Sequence, residues 1–172
     1  MALLRTKYGG ELAVLLTWLC AFLPWSVTAG TMPGTSVSVL WIRFLPLRFL
    51  YILGADVSGQ RPLLPVWEVP GFVGTGGETT AAWLWIAGAV LFLVPLGLSV
   101  VYYLDEARVE ALPVDPVRLQ GALLLLVGLV FTAATAVLWQ ETPGATLPVG
   151  AAFLLVFGAI LLRVERVDAV AG

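Results

Sequence analysis

The sequence predicts an all-α membrane protein with four transmembrane helices, and with a long extracytoplasmic loop between helices 1 and 2 that holds interfacial or β structure. Three observations predict this class. Of the 172 residues, 60% are apolar and 12% are charged, whereas a soluble domain is about half apolar and about a quarter charged. Four long runs contain no charged residue, and the cations gather between alternate runs. We expect residues 1–172 to form a single integral membrane domain.

The four uncharged runs give the predicted spans. A bilayer core of about 30 Å needs about 20 apolar residues in a helix. The predicted spans are 12–29, 81–104, 119–139 and 147–162, which leave an outer loop at 30–80 and a cytoplasmic loop at 105–118. The fourth run is the shortest, and it crosses if residues 143–146 extend it or if Arg163 snorkels to the interface. Pro24 and Pro95 lie inside the first two spans, where each is expected to kink its helix.

The distribution of cations predicts the orientation. With both termini in the cytoplasm, six Lys and Arg side chains lie inside and three lie outside. The positive-inside rule therefore places the N- and C-termini in the cytoplasm and residues 30–80 outside the plasma membrane. The inner cations are Arg5, Lys7, Arg108, Arg118, Arg163 and Arg166, and the outer ones are Arg43, Arg48 and Arg61.

The first run also has features of a cleaved signal peptide. Two cations precede it, and Val27, Thr28 and Ala29 provide a small-residue cleavage site near its end. Its length, together with Pro24 and Trp25 in the cleavage region, favours retention as an anchor. Cleavage is the alternative and leaves three spans.

The sequence lacks the residues that most catalytic and metal sites need. It has no histidine, one cysteine (Cys20) and no charged residue within the predicted spans. A Ser/His/Asp triad, most metal sites and a proton relay inside the bundle are therefore excluded. The sequence predicts no enzyme, no catalytic residue, no metal and no cofactor. A net charge of −2 gives no basic surface for nucleic acid.

Small residues recur at helical spacing within three of the spans. Gaps of seven or eight residues, about two helical turns, put them on one face and let helices approach closely. The candidate helix-packing residues are Gly88, Gly121, Gly128, Gly150 and Gly158. They pack the bundle internally or, alternatively, dock a helix of a partner.

The outer loop contains an apolar segment, Val37–Gly54, that also carries two arginines. Arg43 and Arg48 are too costly at the centre of a fifth span, and the β-branched and aromatic residues around them permit strands instead. We predict that this segment lies at the outer membrane surface, with Arg43, Arg48 and Trp41 contacting lipid phosphates or a partner's carboxylate. Glu68 and Glu78 are the acidic partners within the loop. The alternative is a packed outer cap with solvated arginines.

One lysine against eight arginines, no histidine and a Leu23-Pro24-Trp25-Ser26 motif ending the first helix complete the pattern. With these features the chain resembles a small uncharacterised haloarchaeal family of multi-spanning membrane proteins. The resemblance implies a plasma-membrane location and brings no catalytic residues.

The predicted function is that of a non-enzymatic multi-pass membrane protein, either a structural or assembly factor or a small subunit of a membrane complex. Its predicted partners are the lipid bilayer and other membrane protein subunits. The alternative is a module that binds or transports a lipid, a quinone or another apolar molecule between the first two helices.

Overall fold

A computed structural model describes residues 4–6, 8–31, 34, 36–54, 61–71, 79–142 and 144–166. Within these ranges the chain forms five α-helices, seven strands and a 3-10 helix at Val66–Gly71. The helices are α1 (Gly9–Phe22), α2 (Thr79–Leu104), α3 (Glu106–Glu110), α4 (Pro116–Glu141) and α5 (Val149–Leu162). The strands are β1 (Leu4–Thr6), β2 (Ser26–Thr31), β3 (Ser38–Arg43), β4 (Leu47–Leu53), β5 (Leu63–Pro65), β6 (Ala145–Leu147) and β7 (Val164–Arg166).

The four apolar helices α1, α2, α4 and α5 pack as a bundle, and α4 contacts the other three. Leu124, Val127 and Phe131 of α4 are completely buried at its centre. The start of α4 is fixed locally, because the Asp115 carboxylate accepts a hydrogen bond from the Val117 amide at 2.9 Å and Pro116 occupies the first helical turn. The short helix α3 connects the C-terminal end of α2 to the N-terminal end of α4.

A five-stranded antiparallel sheet, in the order β5-β4-β3-β2-β6, lies at one end of the bundle. Its strands follow the ends of α1 and α4 and precede the starts of α2 and α5. Two tryptophans join it to the helices: the Trp85 indole donates to the Leu45 carbonyl at 3.1 Å, and the Trp139 indole donates to the Thr146 carbonyl at 2.5 Å. At the opposite end, β1 pairs with β7 in parallel.

The prediction of an all-α protein with four spanning helices is wrong. In the described residues, two helices are long and apolar enough to cross a membrane by length and composition, Thr80–Leu104 and Pro116–Glu141. These coincide with the second and third predicted spans. The first and fourth predicted spans form helices of 14 residues, about 21 Å long.

Helices α1 and α5 are shorter than the predicted first and fourth spans, because a strand takes up part of each predicted run. Leu23 has extended backbone (ψ 141°), which is the conformation that a following proline favours, so α1 ends at Phe22 and Pro24 terminates the helix rather than kinking it. The chain then enters β2. At the other site, residues 145–147 pair with β2 as β6 before α5 begins. Helix α2, in contrast, continues through Pro95.

Candidate functional site

The predicted lipid-contact residues lie on the buried face of the sheet. Arg43 is 1% exposed, Arg48 2% and Trp41 9%. Strand alternation puts Trp41 and Arg43 on one face, and the register places Arg43 directly opposite Arg48. The Arg43 Nη1 donates to the Thr28 hydroxyl at 2.6 Å, and its guanidinium lies 5.9 Å from the centroid of the Trp41 ring.

This burial changes the interpretation of both arginines. The Thr28 hydroxyl also hydrogen-bonds the Thr146 hydroxyl at 2.8 Å, so the Arg43 contact joins strands β3, β2 and β6. Neither guanidinium is solvated or turned outward towards lipid phosphates. Of the two predicted acidic partners, Glu68 lies 3.5 Å from Arg61 at the surface, and Glu78 lies outside the described residues.

The segment Leu23-Pro24-Trp25-Ser26 connects the sheet, the core and α5. The Trp25 amide donates to the Arg43 carbonyl at 2.8 Å. The carbonyls of Pro24 and Trp25 accept from the amides of Gly150 and Ala151, which satisfies two free donors at the start of α5. The Trp25 ring, 1% exposed, stacks on Phe131 with the centroids 5.1 Å apart.

Cleavage after Ala29, the alternative kept open by the sequence, falls within a strand that is paired on both sides. Val27, Thr28 and Ala29 pair with β3 on one edge and with β6 on the other.

The structure places all five predicted packing glycines against other elements of this chain. Gly121 and Gly158 face each other across α4 and α5, where a Cβ on either would lie within 2.9 Å of the other's carbonyl oxygen. A Cβ on the remaining three would meet Phe131 (for Gly88), Leu155 (for Gly128) or the Pro24 carbonyl (for Gly150), at 2.7 to 2.9 Å. These glycines therefore set the distances between neighbouring elements within the bundle.

A buried glutamine that the sequence analysis did not single out links three helices. Gln120, at the start of α4, is 3% exposed. Its Nε2 donates to the Thr17 hydroxyl of α1 at 2.7 Å and to the Pro95 carbonyl of α2 at 2.8 Å. The only signal in the sequence is a single amide side chain one residue inside an apolar run.

Among the cavities lined by described residues, two large ones lie along the contact between α1 and α2, which we call the α1–α2 seam. The first, the apolar groove, has a volume of about 440 Å³ and lies near the sheet. It runs between Ala21 of α1, the β3–β4 turn at Leu45, Trp67 of the 3-10 helix and Leu93 of α2. Its lining is almost entirely hydrocarbon and aromatic.

The second cavity, the acidic–aromatic pocket, has a volume of about 330 Å³ and lies near α3. Its walls carry two carboxylates and three aromatic rings. They come from Glu11 and Trp18 of α1, Tyr102 and Tyr103 of α2, and Glu106 of α3. Volumes of this size are typical of pockets that bind small molecules.

In its described residues, the protein is a bundle of apolar helices that an antiparallel sheet covers at one end. Two of these helices are long and apolar enough to cross a membrane. The chain belongs to the family of unknown function DUF7549, whose model matches residues 2–166. None of the curated proteins matches the chain.

Proposed function

We propose that the protein is an integral membrane protein in which α2 and α4 cross the bilayer. The observation that carries this proposal is that the two long helices are mostly exposed. Of the most apolar 18-residue stretch of α2, 28% is buried inside the protein, and of the corresponding stretch of α4, 44% is buried. A core helix of a soluble protein is mostly buried. Soluble monomers also rarely expose large contiguous apolar surfaces.

The short helices carry the same kind of surface, which supports placing them beside α2 and α4 within the apolar layer. Their outward side chains are large and apolar: Leu15, Leu19 and Phe22 on α1, and Phe153 and Val156 on α5. At about 21 Å they are shorter than the bilayer core. Lipid or a partner helix in contact with these faces removes them from water.

The same proposal covers orientation and origin. Helix α2, with 26 residues, is about 39 Å long, which exceeds the thickness of about 30 Å of a bilayer core. The excess of cations at the end of the bundle that carries α3 favours a cytoplasmic location for that end, with the sheet outside the plasma membrane. We also propose that the protein is of haloarchaeal origin and that Leu23-Pro24-Trp25-Ser26 is a sequence motif typical of its family.

We propose a non-enzymatic role, as a structural or assembly factor or as a small subunit of a membrane complex. In the described part of the chain, no group of three or more His, Cys, Asp and Glu residues is placed to hold a metal. Within the bundle, the Gln120 amide is engaged internally, since it donates to the Thr17 hydroxyl and to the Pro95 carbonyl. Outward faces that are largely apolar are suited to lipid and to partner helices, and not to nucleic acid.

Purification in a mild detergent tests this role. The protein should stay with the membrane after alkaline carbonate extraction, and stoichiometric protein partners should accompany it. Release by carbonate overturns the membrane assignment, whereas retention without any protein partner overturns the subunit role alone.

A second candidate function, binding of an apolar small molecule, is favoured by the cavities of the α1–α2 seam. A lipid or quinone retained on purification and identified by mass spectrometry is the expected result. Ala89→Leu narrows the apolar groove and should lower the retained amount, because Ala89 lines it. Ala87→Leu, an exposed position of the same helix outside the groove, is the matched control and should not.

A further inference from the structure

The acidic–aromatic pocket combines a negative charge with aromatic walls. Glu11 and Trp18 are seven residues apart on α1 and lie on the same face, and Tyr103 and Glu106 complete the opposite wall. The Trp18 and Tyr103 rings are inclined at 55° with their centroids 5.5 Å apart. Among the residues that the structure describes, no cation forms an ion pair with Glu11 or Glu106.

The walls of this pocket are positioned in advance by contacts between α1, α2 and α3. Gly10 provides the space for the Tyr102 ring, because a Cβ at Gly10 would overlap that ring. The Tyr102 hydroxyl lies 3.4 Å from the Glu106 Oε1 and donates to it. The Trp18 indole donates to the Ser99 hydroxyl at 3.1 Å, and this hydrogen bond holds the Trp18 ring against α2.

We propose that this pocket binds an organic cation: an alkylated amine or a quaternary ammonium group. Aromatic faces attract cations because the quadrupole of the neutral ring makes its face partially negative, and Trp is the most effective of the aromatic residues. A bare metal ion instead needs several oxygen ligands at short range, and most of this lining is ring and alkyl surface. The proposal rests on the second candidate function above and names the charged part of its ligand.

Calorimetric titration of the full-length protein in a neutral detergent tests this inference. Choline is the probe, and 3,3-dimethyl-1-butanol, which has the same shape without the charge, is its matched control. Choline should bind about tenfold more tightly than the neutral alcohol. Equal affinity for the two probes, or no binding of choline, overturns the proposal.

Charge variants locate the site. Glu11→Gln and Glu106→Gln should each weaken choline binding about fivefold or more and leave the affinity for the neutral alcohol unchanged. Both side chains are exposed, so the fold should persist, which circular dichroism checks. Glu68→Gln removes the same charge from the sheet end of the molecule and should have no effect. An unchanged affinity for choline in both pocket variants contradicts the assignment.

The same cation has two sources, and vesicles distinguish them. After reconstitution in phosphatidylcholine or phosphatidylglycerol and extraction, retention of phosphatidylcholine that is lost in Glu11→Gln identifies a lipid headgroup. Choline binding without retained phosphatidylcholine identifies a free cation. A protein that retains an apolar molecule yet does not distinguish choline from the alcohol keeps the second candidate function and loses this inference.

Discussion

Substitution of Gly158 by alanine tests how closely α4 and α5 approach. A Cβ at Gly158 would lie 2.8 Å from the Gly121 carbonyl oxygen and 2.9 Å from the Leu125 backbone nitrogen. The first distance is about 0.6 Å below the 3.4 Å at which ordinary van der Waals contact begins. Because both atoms belong to the backbone of α4, no side chain can rotate away, and the two helices must separate.

Two opposing effects set the magnitude. Alanine is favoured over glycine within a helix by about 0.5–1 kcal/mol. Overpacking of a close contact costs about 1–3 kcal/mol, and in this interface it also weakens the rest of the contact between α4 and α5. We therefore expect Gly158→Ala to lower the free energy of unfolding by about 1–2 kcal/mol.

Helix α2 offers a matched control at Gly97, where a Cβ would meet nothing within 4 Å. Gly97→Ala should be neutral or should stabilise by up to about 1 kcal/mol. Unfolding in mixed dodecyl maltoside and SDS micelles, followed by circular dichroism, measures both variants. If Gly158→Ala is as stable as Gly97→Ala, the close approach of α4 and α5 is not a constraint and the reasoning fails.

Two further substitutions probe the core by the same unfolding measurement. Gln120→Leu removes two interhelical hydrogen bonds and should cost about 1 kcal/mol; its effect should be non-additive with that of Thr17→Val, and additive costs contradict a shared hydrogen bond. Trp25→Ala removes a buried ring and should cost about 3–5 kcal/mol, whereas Trp67→Ala, at a position 68% exposed, should change stability by about 0.5 kcal/mol or less. Similar losses at the two tryptophans contradict the placement of Trp25 in the core.

The two long helices are predictable from the sequence because their signals are local. An uncharged run of spanning length predicts α2 and α4, and Asp115 followed by Pro116 marks the start of α4. The end of α1 cannot be predicted from apolar composition, since an apolar helix and a buried strand share the same composition. The signal in the sequence that marks this end is Pro24, because a proline disfavours helical backbone at the preceding residue, Leu23.

The candidate sites also differ in whether their signal in the sequence is local or depends on tertiary contacts. Glycine spacing within one helix is local, so the small-residue faces are visible in the sequence. The burial of Arg43 depends on Thr28 and Thr146, which reach it only through the pairing of β2 with β3 and β6. The acidic–aromatic pocket likewise needs the contact between α1 and α2, which no spacing in the chain specifies.

Cysteine accessibility in intact cells tests most directly whether the protein crosses the membrane. The native Cys20 is 4% exposed and should remain unlabelled. With an impermeant thiol reagent, we expect Ser36→Cys, beside the sheet, to be labelled, and Ala111→Cys, directly after α3, to be labelled only after permeabilisation. Labelling of Ala111→Cys alone in intact cells reverses the orientation. Labelling of both positions in intact cells, or of neither before permeabilisation, contradicts a membrane crossing between them.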